Sequence, residues 1–289
     1  MSGSRGATAR RGVLAGAEWA AEHLEDPEVR FIELSRDTLV YDGIHIPGAI
    51  RWDWMTQLSH RVRRDIPSPE ALSALASGSG IGPDTHVVLY GDDRSWFAAW
   101  GYWLLALHHH ERLSLLDGGR KTWTDSHLPV LVSVIEHEPT AITLPEPDLG
   151  TRATAGDILG RLDDERLVIV DSRPPDEHDG SIVAPPELRS EAAQRAGRIP
   201  GSVSVPWDVT VGDDGLLRHP DALRAIYAAV GVEPERDIVV YGRIGERAAH
   251  SWFVLHEVLG FPSVRLYDGG WVEWGSLIGV PIENASADA

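Results

Sequence analysis

The segment Tyr241-Gly-Arg-Ile-Gly-Glu-Arg247 lies between the apolar run Asp237-Ile-Val-Val240 and a helical pattern that begins near Ala248. A short apolar run bounded by glycine is typical of a buried strand, and the apolar residues after Ala248 are spaced as on one face of a helix. The sequence therefore predicts a strand that enters a tight loop, from which a helix leaves.

The loop at 242–247 has the composition of an anion site. Gly242 and Gly245 allow it to curl so that successive backbone N–H groups converge on one point, with the N-terminus of the following helix behind them. Arg243 and Arg247 add two permanent positive charges with planar donor groups. We predict that this loop binds a small anionic or strongly polar molecule.

Three short motifs occur twice in the same order, which indicates an internal duplication. The second copy of each motif lies 151 or 153 residues after the first. The pairs are His45-Ile-Pro-Gly-Ala-Ile50 with Arg198-Ile-Pro-Gly-Ser-Val203, Val87-Val-Leu-Tyr-Gly91 with Ile238-Val-Val-Tyr-Gly242, and Leu116-Asp-Gly-Gly119 with Tyr267-Asp-Gly-Gly270. A chain of 289 residues is long enough for two domains of about 150 residues each.

In each copy, short apolar strands alternate with helical segments, a pattern typical of a parallel sheet covered by helices. The predicted fold is α/β, with two tandem domains that each contain a parallel sheet with helices on both faces. We predict a flexible leader at 1–12, a first domain at 13–134, a linker at 135–150 and a second domain at 151–289. The linker contains three prolines and several acidic residues and has no strong periodicity.

The composition excludes several classes of protein. A formal net charge of −18 argues against nucleic acid as a partner, because no basic face is available to neutralise phosphates. No segment approaches the roughly 18 continuous apolar residues of a membrane span, and residues 1–11 lack the apolar region of a secretion signal, so we predict a cytoplasmic protein. The absence of cysteine excludes disulfides and thiolate metal sites, and the sequence predicts no cofactor and no metal site.

Several motifs resemble those of the rhodaneses, the thiosulfate sulfurtransferases, and the resemblance extends over nearly the whole chain. These motifs are Tyr41-Asp-x-x-His-Ile-Pro-Gly-Ala-Ile50, Asp171-Ser-Arg173, Arg243-Ile-Gly-Glu-Arg247 and Tyr267-Asp-Gly-Gly-Trp271. The second half is especially similar to actinobacterial members of the family, in which the same loop precedes a helix like His250-Ser-Trp-Phe253. The resemblance implies two rhodanese-like domains, of which the first is non-catalytic and the second carries the active-site loop.

The family loop reads Cys-Arg-x-Gly-x-Arg, and its cysteine carries the transferred sulfur. Gly242 occupies the cysteine position here, and the chain contains no cysteine elsewhere. Because the family's chemistry is covalent catalysis by a thiolate, we predict that this chain cannot carry out a persulfide cycle. The equivalent segment of the first domain, Gly91-Asp-Asp-Arg-Ser-Trp96, contains two carboxylates, which makes it a poor anion site.

Three interpretations of Gly242 stay open. The first, which we favour, is an enzyme with cysteine-independent chemistry, in which the space left by the thiol receives part of a substrate. The second is a thiosulfate sulfurtransferase inactivated by a Cys-to-Gly replacement at 242. The third is a non-catalytic binding or regulatory protein, for which a protein partner is expected. Both copies read Tyr-Gly at this point, which favours a natural glycine.

The predicted site combines loop residues with residues that the family resemblance assigns to the pocket. Residues assigned to catalysis are Arg243, Glu246, Arg247 and Arg173, and residues assigned to substrate binding are Gly242, Ile244, Gly245, Arg198, Asp171, Trp207 and His250. Structural roles are the alternatives for three of them: an ion-paired carboxylate for Glu246, a core residue for His250 and a surface salt bridge for Arg198. The segment 179–194 is long for a loop, and we predict that it covers the site as a lid.

Overall fold

A computed structural model describes residues 12–186 and 192–285. Within these residues the chain forms two parallel sheets, one of five strands and one of four. The strands are β1 (Leu14–Ala15), β2 (Val29–Glu33), β3 (Ile50–Arg51), β4 (His86–Tyr90), β5 (Leu113–Leu116), β6 (Leu167–Asp171), β7 (Val203–Ser204), β8 (Asp237–Tyr241) and β9 (Val264–Tyr267). The helices are α1 (Ala17–Glu22), α2 (Val40–Gly43), α3 (Pro69–Gly78), α4 (Trp96–Leu107), α5 (Gly119–Asp125), α6 (Ala155–Leu159), α7 (Pro175–His178), α8 (Pro220–Ala228), α9 (Glu246–Trp252) and α10 (Gly270–Trp274). The predicted α/β fold with two parallel sheets is confirmed.

The two sheets share one strand order, as expected for a duplication. The first sheet has the order β1-β5-β4-β2-β3, and the second, written in the same direction, has the order β9-β8-β6-β7. All strand pairs are parallel, and among the described residues no strand of the second sheet corresponds to β1. Strands β2 to β5 therefore correspond to β6 to β9. In the second sheet, Asp171 at the end of β6 lies opposite Tyr241 at the end of β8. The segments that begin at Ser172 and Gly242 consequently leave the same edge of the sheet.

The helix after the 242–247 loop begins earlier than the sequence predicts. It starts at Glu246 rather than near Ala248, and it continues as a π-helix over Phe253–Val258. The early start depends on Gly245, which precedes the first helical residue and has a φ of 115°, a conformation that favours glycine. Glu246 and Arg247 therefore belong to the first turn of α9 rather than to a free loop.

A buried carboxylate connects four parts of the second unit. Asp171 accepts hydrogen bonds from the Arg173 guanidinium at 2.6–3.1 Å and from the Tyr241 hydroxyl at 2.6 Å. The Tyr241 hydroxyl accepts a hydrogen bond from the backbone N–H of Ile199 at 3.3 Å, in the Ile-Pro-Gly turn. The Arg173 guanidinium lies over the Trp271 ring, 4.6 Å from the centroid. These contacts join the ends of β6 and β8, the turn and α10.

Both partners of this carboxylate–phenol pair have shifted pKa values. Burial alone would raise the pKa of Asp171, but the charge of Arg173 and hydrogen bonds from His178, Arg173 and Tyr241 hold that pKa well below its usual range. Burial and the Asp171 charge raise the pKa of Tyr241. Folding therefore stabilises an ionised carboxylate beside a neutral phenol.

The first unit also has a buried carboxylate opposite a tyrosine, but the arginine that pairs with this carboxylate comes from α5. Glu33, at the end of β2, lies opposite Tyr90 of β4, and the Tyr90 hydroxyl accepts a hydrogen bond from the N–H of Ile46 at 3.1 Å. Glu33 accepts a hydrogen bond from Arg120 in α5, a residue that occupies the position of Trp271 in the duplicated motif. Burial raises the pKa of Glu33, and Arg120 only partly offsets this effect.

The described chain divides into two compact units. One contains residues 12–148 with 211–217, and the other contains the described residues of 149–210 and 218–285. Across the described residues, none of the helices has the length and apolar character that a membrane span requires.

The predicted linker, 135–150, belongs to the first unit as far as Asp148. Thr140 donates a side-chain hydrogen bond to the carbonyl of Ile81, and the backbone N–H of Leu144 donates to Ser73 Oγ at 2.9 Å. Leu144 is also buried. Although this segment has no regular secondary structure, it is packed along the first unit.

We expect Asp171→Asn to lower the free energy of unfolding of the second unit by about 3–5 kcal/mol at pH 7, because the Arg173 charge loses its buried partner. The folded-state pKa of Asp171 lies below the unfolded value, so the contribution of the ionised carboxylate is present above about pH 4 and is lost as the pH falls through the folded pKa. Urea unfolding between pH 7 and pH 3 should show the difference between wild type and variant shrinking. A difference that does not change with pH would contradict this account.

Glu33→Gln in the first unit is the matched control. The folded-state pKa of Glu33 is raised, so its contribution has the opposite sign and is lost as the pH rises. The stability difference between wild type and Glu33→Gln should therefore grow as the pH is lowered.

Candidate anion site at the 242–247 loop

The loop backbone has a fixed position relative to β8 and α10. The carbonyl of Gly242 accepts a hydrogen bond from the N–H of Trp271 at 2.9 Å, and the carbonyl of Arg243 accepts one from the N–H of Val272 at 3.1 Å. Two successive loop carbonyls are thus engaged by the first turn of α10. The loop therefore presents its other groups in a defined arrangement.

The loop is buried along most of its length. Gly242, Arg243 and Gly245 are buried, and Ile244 is half-buried. The first hydrogen bond of α9 runs from the N–H of Ala249 to the carbonyl of Gly245 at 2.8 Å. The N–H groups before Ala249 therefore lie outside the helical ladder, which is the arrangement that suits an anion at a helix start.

Arg247 forms an ion pair that the sequence did not predict. Its Nη1 donates to Glu177 Oε1 at 2.8 Å, and both side chains are buried. Arg243 in the loop and Glu246 in the first turn of α9 are also buried, each with less than 5% exposure. Arg247 is therefore paired with a carboxylate from α7, a partner that no motif in the sequence indicated.

Gly242 can accept a side chain at a small cost. Its backbone lies outside the left-handed region. A Cβ added there would lie 3.1 Å from Ser172 Oγ, 3.2 Å from the backbone nitrogen of Ala248 and 3.2 Å from Arg247 Cβ. These distances are shorter than ordinary van der Waals contacts, so a side chain at 242 requires shifts of a few tenths of an ångström in Ser172 and the first turn of α9. Glycine is therefore not required at 242 by steric exclusion.

Gly91, the equivalent glycine of the first unit, has a different reason to be glycine. A Cβ at this position would lie well inside contact distance of the backbone carbonyl oxygen of Leu34, which cannot move without displacing β2. The following loop contains Arg94 and Ser95 at φ values of 63° and 64°, and Arg94 is exposed. Steric exclusion thus accounts for the glycine at 91 but not for the glycine at 242, so the first Tyr-Gly sequence does not explain the second.

The structure brings His250 and Trp207 together beside the loop. Their ring centroids lie 5.4 Å apart in an edge-to-face arrangement. The backbone N–H of Trp207 donates to the carbonyl of Ser172 at 3.1 Å, and Ser172 Oγ is the atom nearest to a side chain at Gly242. One side of the loop is therefore bordered by Ser172, Trp207 and His250. The assignment of Trp207 and His250 to substrate binding stays a prediction.

Asp171 and Arg173 form a buried ion pair. The Arg173 guanidinium donates to Asp171, and it also donates to the carbonyl of Gly197 at 2.8 Å. Both side chains are fully buried, and the Arg173 guanidinium lies over the rings of Tyr241 and Trp271. These contacts give the pair a structural role, and the assignments of Arg173 to catalysis and of Asp171 to substrate binding stay predictions.

Arg198 forms the surface salt bridge that was the alternative to substrate binding. Its Nε lies 3.0 Å from Glu283 Oε2, and its backbone pairs with Glu283 in an antiparallel bridge. In the predicted lid, residues 187–191 lie outside the described residues. Of the remainder, Val183 packs partly buried against the core of the second unit, and Ala193 is buried in it.

The sequence analysis did not identify two residues that lie beside the loop, Ser172 and Glu177. Ser172 stands within Asp171-Ser-Arg173, and the alternation of side chains at a strand end places it on the opposite face from its two neighbours. That rule would have predicted its position beside Gly242. Glu177 is in the short helix α7, and no local pattern predicts that its carboxylate reaches an arginine 70 residues later in the chain.

The chain thus has two α/β units, each with a parallel sheet, and a candidate anion loop between a strand and a helix of the second unit. This combination is typical of a protein built from two tandem α/β domains. The family model for the rhodanese-like domain matches residues 16–126 and 154–277. The chain therefore belongs to the rhodanese family, as a homologue of its sulfurtransferases that has no cysteine.

Relatives match over nearly their full lengths. A protein of Saccharopolyspora erythraea named "Putative thiosulfate sulfurtransferase" is 43% identical over 275 residues, covering 95% of this chain and 97% of the relative. A protein of the same name from Mycolicibacterium smegmatis is 42% identical over 278 residues, covering 96% and 100%. The sulfur carrier protein TtuD of Thermus thermophilus is 42% identical over 273 residues, covering 93% and 96%.

Solved structures share the fold. The wild-type structure of EanB is similar with a TM-score of 0.81 and 24% identity, covering 96% of this chain and 70% of that one. An EanB variant in complex with hercynine has a TM-score of 0.81 and 23% identity over the same shares. At this identity the likeness concerns the fold alone.

Alanine substitutions should separate the two glycines. We expect Gly91→Ala to lower the free energy of unfolding by about 3 kcal/mol, because its Cβ meets backbone that cannot yield. Gly242→Ala should change it by less than about 1 kcal/mol, because the neighbouring Ser172 side chain can shift. Thermal unfolding followed by circular dichroism measures both. Equal losses in the two variants would show that Gly242 is sterically required after all.

Proposed function

We propose that the second unit binds a small anion at the 242–247 loop and that its chemistry does not use a protein thiol. The observation that carries this proposal is the burial of two arginines, Arg243 and Arg247, in a loop whose backbone is fixed by Gly245 and α10. Buried guanidinium groups beside N–H groups at a helix start favour a bound negative charge. The predicted partner is accordingly a small anionic or polar molecule.

The missing cysteine restricts the reactions that such a site can carry out. Glycine has no side chain that accepts sulfur, and removal of a covalent nucleophile costs up to about 10⁶ in rate in well-studied hydrolases. The loop retains the means for electrostatic stabilisation, because arginines and backbone N–H groups hold charge on a bound molecule. We propose that the substrate brings its own reacting group to the space beside Gly242 and that the loop holds its charge.

A second candidate is a thiosulfate sulfurtransferase inactivated at position 242. The observation that favours it is the steric tolerance of Gly242, where a side chain requires shifts of only a few tenths of an ångström. The names of two close relatives point to the same activity. This candidate differs from the first in what a restored cysteine would do.

Sulfur transfer from thiosulfate to cyanide distinguishes the two candidates. We expect no transfer by the wild-type protein, because the chain contains no cysteine. We also expect Gly242→Cys to stay at the level of a Gly242→Ser control, because Glu177 already pairs with Arg247 and weakens the hold on a doubly charged donor. A gain of about 10³-fold or more in the cysteine variant alone would reject the first candidate in favour of the second.

Anion binding is tested directly by titration calorimetry, with sulfate and methanesulfonate as probes. We expect at least one probe to bind, and Arg243→Gln to weaken that binding by about tenfold or more, because a charge-assisted hydrogen bond is lost. Arg94→Gln, in the exposed equivalent loop of the first unit, removes the same charge and should leave binding unchanged. Failure of both probes to bind, or equal weakening by the two substitutions, would reject the 242–247 loop as the anion site.

A further inference from the structure

His45 is a buried histidine of the first unit whose two ring nitrogens both face carbonyl oxygens. Its Nδ1 lies 2.9 Å from the carbonyl oxygen of Tyr41, and its Nε2 lies 3.2 Å from the carbonyl oxygen of Ser133. Only 1% of His45 is exposed. A backbone carbonyl accepts hydrogen bonds and cannot donate them, whereas a neutral imidazole has a single N–H. The imidazolium form of His45 is therefore the form that makes both hydrogen bonds.

These contacts hold a segment that gains little stability from burial. Residues 129–135 follow α5, and within them Leu131 pairs with His45 through two backbone hydrogen bonds of 2.9 Å each. The three valines of this segment are all exposed. A segment with few buried apolar contacts opens at a lower free energy than the core does. Its attachment therefore depends on hydrogen bonds, among them the one from His45 to Ser133.

The second unit has a permanent cation at the position that corresponds to His45. Arg198 precedes the second Ile-Pro-Gly turn as His45 precedes the first. Arg198 likewise pairs with a later segment of its own unit, through two backbone hydrogen bonds with Glu283, and its Nε lies 3.0 Å from Glu283 Oε2. Because arginine stays charged in proteins, the two copies place a titratable cation and a permanent one at the same position.

The surroundings of His45 suit a positive charge. Its ring stacks on Tyr41 with the centroids 3.9 Å apart, and the face of an aromatic ring attracts a cation. Burial raises the pKa of Glu33 in β2, while the charges of Arg120 and, less strongly, of His45 lower it. The carboxylate of Glu33 is therefore close enough to His45 to offset its charge.

Other titratable or charged groups around the first Ile-Pro-Gly turn have partners of their own. Asp42 and Arg51 form an ion pair at 3.2 Å, and the Tyr90 hydroxyl accepts from the backbone N–H of Ile46. His137 Nε2 lies 2.9 Å from the carbonyl oxygen of Gly48. That single contact requires one N–H, which a neutral imidazole supplies. His137 thus differs from His45, whose two contacts require two.

We infer that His45 is a pH-sensitive switch, whose imidazolium form holds residues 129–135 against the Ile-Pro-Gly turn and whose deprotonation loosens them. The attached state keeps a proton that the loosened state can lose. Attachment is therefore strongest at low pH and weakens as the pH rises through the range in which histidine titrates, about pH 5 to pH 8. The contact between Arg198 and Glu283 in the second unit does not weaken as the pH rises through this range.

Nitrogen NMR of wild-type protein labelled with ¹⁵N-histidine measures the protonation of His45 directly. At pH 7 we expect both of its ring nitrogens to be protonated, with the signals assigned by their loss in His45→Gln. His60 is the internal control, because its Nδ1 lies 3.3 Å and 3.2 Å from the backbone nitrogens of Val62 and Arg63 and accepts from them. Its Nδ1 should therefore be unprotonated. One unprotonated nitrogen in His45 at pH 7 would overturn the inference.

Hydrogen exchange measures the loosening of the segment. Protection factors, which correct for the intrinsic effect of pH on exchange, should fall about tenfold or more for Leu131 between about pH 6 and about pH 8.5, because a charge-assisted hydrogen bond is lost. Glu283 in the second unit should keep its protection. Equal pH dependence at Leu131 and Glu283 in the wild-type protein would contradict the switch, and this comparison needs no variant.

Two substitutions assign the pH dependence to one side chain. His45→Gln should abolish it and leave Leu131 at the low protection that the wild-type protein has at high pH, because a neutral amide replaces the imidazolium. His137→Gln, in the chain just after the same segment, should leave the pH dependence in place, because the wild-type contact of His137 uses one N–H. Survival of the pH dependence in folded His45→Gln would reject His45 as the switch.

Discussion

The contact on which the second unit depends is the one between Asp171 and Tyr241, buried side by side at the ends of β6 and β8. An ionised carboxylate removed from water needs both charge balance and hydrogen bonds. Arg173 supplies the first, and Tyr241 and His178 contribute to the second. Because Tyr241 immediately precedes Gly242, this requirement also fixes where the candidate anion loop begins.

The same requirement is met differently in the first unit, where Glu33 and Tyr90 replace Asp171 and Tyr241 and the arginine comes from α5. The residue after the duplicated Asp-Gly-Gly motif is Arg120 in the first unit and Trp271 in the second. The two copies thus place a cation and an aromatic ring at the same position. The opposite pKa shifts of Glu33 and Asp171 follow from how well each carboxylate is compensated. Divergence between the copies therefore extends into their cores as well as their loops.

The candidate site combines a loop whose sequence resembles the rhodanese motif with a glycine in place of the motif's cysteine. The loop keeps two arginines and the helix start, yet Gly242 contributes no nucleophile and Glu177 compensates Arg247. Binding and charge stabilisation are the properties that we propose for this loop. A side chain at 242 would require shifts of only a few tenths of an ångström, so steric exclusion does not explain the glycine.

Patterns within short stretches determined the parallel α/β architecture, the duplication and the location of the loop, because strand periodicity and glycine placement are local properties of the sequence. The position of β8 followed from its apolar run alone. Tertiary structure decided which charges are compensated: Arg173 by Asp171, Arg198 by Glu283, and Arg247 by Glu177. Tertiary structure also determined that a side chain is excluded at Gly91 but not at Gly242, because the atoms around each glycine come from distant parts of the chain.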